Sequence, residues 1–159
     1  MRIVVDANIV FSAILKSTGN IGDLLINSFR VFNFLAPNFL RMEIRTHYPR
    51  LMEISKLPFE QILEAEYQVC KSVSFISEEQ IFLENWEFAH NIMNDIDPKD
   101  IVYVALTKQN DCKLWTGDKR LKKGLSAKGF ENVILTDELL ALRWQIVNRS
   151  KAVENSDIQ

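Results

Sequence analysis

Short apolar runs, each too brief for a helix, alternate in this chain with helix-length amphipathic patterns, and that alternation excludes most folds before any motif is read. Arg2-Ile3-Val4-Val5 is a β-branched run that stops at Asp6, the pattern of a strand buried on both faces. Residues 7–16 (ANIVFSAILK) predict a helix, Ser17-Thr18-Gly19-Asn20 a turn, and residues 21–30 a second helix. The next strand is predicted over 31–36, after which Pro37-Asn38 opens a helix through Glu43 to Tyr48, checked by Pro49. Leu57-Pro58-Phe59 starts an amphipathic segment to Lys71, and residues 73–76 predict a short strand. Ser77 and Gln80 form a capping box before a helix whose Ile81, Phe82, Trp86, Ala89 and Met93 recur as a core-facing stripe. Asp97-Pro98 starts the next helix, residues 112–116 (CKLWT) read as a strand, and residues 132–135 lead into a last helix from Thr136 to about Asn148.

At least four strand–helix alternations favour an α/β fold, a parallel sheet between helices with right-handed crossovers. With 159 residues, nearly half of them hydrophobic, one domain over 1–150 is expected, and the polar stretch 151–159 reads as a frayed tail. Net charge is close to neutral, so a phosphate-binding surface must be a local patch. Cys70 and Cys112 lack metal-ligand spacing and read as reduced, buried thiols. No apolar run approaches the length that spans a bilayer and no leader pattern precedes the first strand, so a cytoplasmic protein away from membranes is expected.

In parallel sheets, ligands collect beyond the carboxyl ends of strands. Asp6, Glu43 and Asp118 each follow a predicted strand, and Asp100 sits at the start of a helix, over 101–106, that is apolar on nearly every side. Carboxylates brought together there must share protons or a cation. Oxygen ligands without His or Cys favour Mg²⁺ or Mn²⁺ over zinc, and such an ion suits phosphoryl chemistry. Asp97 is fully explained as the cap of the Asp-Pro helix start and is equally open to a role as an outer ligand; Asp95 has only proximity. Arg41 and Arg45 flank Glu43 in sequence, and Lys119, Arg120, Lys122 and Lys123 follow Asp118. They read either as a cationic border around the acids or as ordinary solvated helix charges. His47 is expected at the surface and His90 on a helix flank.

Four segments together resemble the motifs of the PIN-domain family of metal-dependent ribonucleases: VVDANIVFSAIL, NFLRMEI, DPKDIVYVAL and LWTGDKRL. The resemblance runs over nearly the whole chain and implies a three-layer α/β/α sandwich with a parallel sheet in the order 3-2-1-4-5. It makes Asp6, Glu43, Asp100 and Asp118 the metal-binding carboxylates, with Asn8 and Thr116 as supporting side chains and Asp97 an extra acid. The implied reaction is hydrolysis of RNA by metal-activated water, and the implied partners are RNA, a small antitoxin and a second copy of the chain. Two rivals stand beside it. A haloacid-dehalogenase-like phosphatase also places an Asp after its first strand, but it needs a proton donor where this chain has Asn8. A PIN-like module that binds RNA or protein without cutting would use the acids only as caps.

Overall fold

The computed structural model describes the backbone of residues 1–156 and the side chains of residues 1–149. Five parallel strands form one sheet in the order β3-β2-β1-β4-β5: β1 (Arg2–Val5), β2 (Asn33–Pro37), β3 (Val73–Ile76), β4 (Lys113–Trp115) and β5 (Val133–Ile134). Helices cover both faces, giving the three-layer α/β/α sandwich. The middle strand is the most deeply buried, with Ile3, Val4 and Val5 fully enclosed. Such a strand has no solvent face, so its sequence is a continuous β-branched run with no polar alternation.

The connections decide where the strand ends meet. From β1 the chain passes through α1 (Ala7–Leu15) and α2 (Asn20–Asn27) to β2 on one side. It continues through α3 (Phe39–Thr46), α4 (Tyr48–Ser55) and α5 (Phe59–Cys70) to β3 at that edge. It then returns by α6 (Leu83–Met93) and α7 (Ile101–Gln109) to β4 on the other side of β1. Strand order therefore reverses at β1, the place where an open α/β sheet leaves a crevice. The register sets Val5 beside Trp115, and the Asp6 backbone N–H continues the ladder by donating to the Trp115 carbonyl at 3.0 Å.

α7 packs against β1, β2 and β4, which is why every residue from Ile101 to Thr107 is buried. Beyond β4, α8 (Lys119–Ala127) leads to β5, and α9 (Thr136–Ser156) closes the described chain. Cys70 and Cys112 are free thiols, and among the described residues no single helix is long and apolar enough to cross a membrane.

Several local expectations are corrected. Pro49 does not end a helix; it lies in the first turn of α4, where its missing N–H costs nothing. Ser77 and Gln80 frame a 3₁₀ turn (Glu78–Gln80) without the side-chain cap bond, and the Glu78 carboxylate instead accepts from the Phe39 backbone N–H at 2.6 Å. Phe82 leaves the predicted core stripe because it precedes α6, and it is 67% exposed. Asp97-Pro98 opens a 3₁₀ turn (Pro98–Asp100) ahead of α7. The last helix continues past Asn148 to Ser156, and the final residues of the expected tail, 157–159, lie outside the described residues.

Candidate metal and active site

Asp6 lies just past β1 and is 4% exposed. A carboxylate so placed needs donors, and three converge on it. The Asn8 amide donates to its Oδ2 at 2.6 Å, the Thr116 hydroxyl to the same oxygen at 2.6 Å, and the Asn8 backbone N–H to Oδ1 at 3.3 Å. Burial raises the Asp6 pKa, and the Thr116 hydroxyl and the Asn8 backbone N–H oppose the rise. Thr116 and Asn8 also fix the neighbouring loop: the Thr116 oxygen accepts from the Asp118 backbone N–H at 3.0 Å, and Asn8 Oδ1 accepts from the Gly117 N–H at 3.1 Å. Asp118 caps α8, its Oδ1 accepting from the N–H groups of Arg120 at 2.7 Å and Leu121 at 3.1 Å.

Two further acids reach the pocket from α3 and from the head of α7. Glu43 projects from α3 and is held by the Tyr103 hydroxyl, which donates to its Oε2. Tyr103 is fully buried in α7, and burial with that carboxylate raises its pKa far above the usual phenol range. Glu43 itself is pushed up, first by burial and then by the nearby Asp6 charge, with the Tyr103 bond opposing. Asp100, at the head of α7, has no side-chain cap bond. Burial and then the charges of Asp6, Asp97, Glu43 and Asp118 raise its pKa to about 7. Asp97 caps the 3₁₀ turn by accepting from the Lys99 N–H at 2.9 Å while also lining the same pocket.

The five acids thus line one pocket of about 380 Å³ at the carboxyl end of the sheet, with Asn8 beside them. Among the described residues no three His, Cys, Asp or Glu side chains stand close enough to chelate one ion directly. The donor set nevertheless fits a hard divalent cation: it is carboxylate oxygen, it carries excess negative charge, and Mg²⁺ ordinarily keeps several waters while using few protein ligands.

A model of the PIN domain matches residues 4–138. The chain belongs to the PIN-domain family. A crystal structure described as VapBC2 from Rickettsia felis bound to a DNA fragment from their promoter is similar at 14% identity and a TM-score of 0.64, covering 85% of this chain and 97% of that one. At that identity the likeness concerns the fold, and the strand order 3-2-1-4-5 agrees with it. A comparison with curated protein sequences gives no match.

Within this PIN domain the expected border residues separate. Lys119 and Arg120 line a shallow hollow that adjoins the acid pocket through Asn8 and Asp118. Arg41 and Arg45 instead line grooves on the far side of α3, and Arg41 stacks over the Phe75 ring at 3.7 Å. Asp95 pairs with Lys128 away from the pocket. His90 is exposed and lines the groove with Arg41. Exposed His47, together with Phe11 and Arg50, lines the acid pocket itself. Tyr103 and Arg50 had no place in the expectations. A tyrosine inside the apolar run IVYVAL does carry a signal, because its buried hydroxyl requires a partner.

Proposed function

We propose that this PIN domain is a divalent-metal-dependent endoribonuclease hydrolysing RNA phosphodiester bonds. The observation that carries the reading is the convergence of Asp6, Glu43, Asp100 and Asp118, from four distant segments, on one pocket at the strand-order reversal. These four, with Asp97 at the margin, would hold Mg²⁺ or Mn²⁺. When bound, the ion supplies a more acidic water and offsets charge growing on the phosphate. The chain's own residues do the rest. Asn8 and Thr116 keep Asp6 oriented at the pocket floor, Tyr103 keeps Glu43 turned inward, and the α8 cap holds Asp118 at the rim. Asp100, without a side-chain cap bond and raised to about 7 in the metal-free fold, is the carboxylate that gives up a proton when the ion binds.

The role that follows is the toxin of a toxin–antitoxin pair, acting on cytoplasmic RNA as a homodimer and silenced by a small antitoxin. The similar R. felis structure is described as VapBC2 bound to promoter DNA, and that complex supports an antitoxin partner here. The phosphatase alternative meets a structural objection as well as a chemical one. Asn8 uses its amide N–H on Asp6 and its oxygen on the Gly117 N–H, so it is a brace with no proton to deliver.

The test is cleavage of a structured RNA with Mg²⁺ or Mn²⁺ by the parent protein, Asp6→Asn and Asp118→Asn. Activity in the parent and its loss in both variants is expected. Equal cleavage by all three would overturn the metal-site reading, and no cleavage by any would favour the silent binding module.

A further inference from the structure

Phe11, His47 and Arg50 come from α1 and from the start of α4, and all three line the acid pocket beside Glu43. The imidazole of His47 meets the Phe11 ring edge-on at 5.9 Å, and the Arg50 guanidinium lies 5.9 Å from the same ring. Lys119 and Arg120 line a hollow that shares Asn8 and Asp118 with the pocket. Among the described residues Arg50, Lys119 and Arg120 form no ion pair; Arg50 lines the acid pocket, and Lys119 and Arg120 line the adjoining hollow. The acid pocket and the hollow, adjoining at Asn8 and Asp118, make one trough, with Arg50 and the Phe11–His47 pair in the first part and Lys119 and Arg120 in the second.

We infer that this trough is the path of a single polynucleotide strand, with Arg50 and Lys119–Arg120 taking phosphates on either side of the acids and a base lying against Phe11 and His47. The inference rests on the nuclease reading and adds the strand's course and the residues that grip it. Depth selects a single strand over a duplex: Asp6 lies at the floor, nearly buried, and only a backbone free to bend brings a phosphate down to it. Charge selects the direction of travel. Arg41 and Arg45 line other grooves, on the outer side of α3, and the inferred path does not use them.

The experiment is equilibrium binding of labelled 12-nucleotide strands by fluorescence anisotropy, with Mg²⁺, in an Asp118→Asn background, strand integrity being checked on a gel. In that background Arg50→Gln should weaken binding about fivefold and flatten the salt dependence by about 0.7 in slope, the signature of one lost phosphate contact. Phe11→Leu, which keeps the apolar volume, should weaken binding about fivefold with the salt slope unchanged, as a lost stacking partner does. Arg41→Gln and Arg45→Gln should bind within about twofold of the background. Strands of RNA and DNA are run in parallel to show which sugar the trough takes, and a duplex should bind less tightly than either.

Unchanged binding by both Arg50→Gln and Phe11→Leu, equal losses in the Arg41 and Arg45 variants, or no strand binding at all would overturn the path. Arg50 is exposed, so its variant stands if Phe11→Leu fails to fold. A parent that does not cut RNA while these binding changes persist would remove the nuclease reading and leave the trough. A parent that cuts while the variants bind normally would do the reverse.

Discussion

The two faces of α3 carry opposite surfaces. Inward, Glu43 and Ile44 wall the acid pocket. Outward, Phe39, Arg41, Met42 and Arg45 wall an apolar groove of about 600 Å³ that continues onto Trp86, Ile101 and Val102. Residues two apart on a helix point about 200° from each other, so the arginines that bracket Glu43 in sequence are the ones its helix turns away from it. Nearness along the chain is thus a poor guide to nearness at this site. The 3₁₀ turn and the head of α7 make the same division, with Asp97 and Asp100 facing the acids while Pro98 and Lys99 face the groove.

The comparison is broken most directly at the inward face. Glu43→Gln, like Asp6→Asn, should reduce RNA cleavage by more than about 100-fold while circular dichroism stays that of the parent. Retained activity would mean that the acid face is not the reacting one. Tyr103→Phe should follow with a loss of about 10–100-fold in Mg²⁺ affinity or activity, because Glu43 loses the hydroxyl that holds it. Calorimetric titration reads that affinity without reference to turnover, and an unchanged isotherm would reduce the contact to packing.

The next effect is protonic. Asp100 is raised from 3.8 to about 7, so the unfolded chain ionises first and the free fold loses stability from this group as pH climbs through that window. Asp100→Asn should therefore stabilise the metal-free protein at pH 8, by on the order of 1–3 kcal/mol after allowance for solvent screening. It should also abolish the uptake of ion there. In the parent at pH 7, Mg²⁺ binding should release roughly half a proton, falling towards zero at pH 9. Titrations in buffers of different ionisation heat measure this, and identical apparent enthalpies would show that Asp100 does not meet the ion.

Smaller changes sharpen the boundary between the faces. Asp97→Ala should cost about 1 kcal/mol in urea unfolding through the lost cap, whereas Asp97→Asn retains most of it. An activity loss in Asp97→Asn beyond its stability loss would assign this acid to the ion as well as to the turn. Smallest of all, Arg41→Gln and Arg45→Gln should leave cleavage within about twofold, and a tenfold drop would mean that substrate reaches round α3.

Much of this was legible locally. The β-branched run before Asp6, the strand before Asp118 and the wholly apolar 101–106 segment are patterns of buried elements, and burial of each element pins the acid at its end. Alternation of those elements determined a parallel α/β sheet, and the order of four acids pointed to rims that the structure brings to one pocket. Tertiary structure alone decided what each acid touches. Tyr103 meets Glu43 across 60 positions, and Thr116 meets Asp6 across 110, because β1 pairs with β4 and α7 lies over both. It also placed Arg50, carried by the first turn of α4, in the lining of the acid pocket, and Arg41 and Arg45 in grooves on the other side of α3. Hydrophobic periodicity records which side of an element is buried. Which polar partner waits on the exposed side depends on crossings between elements, and no local pattern carries that.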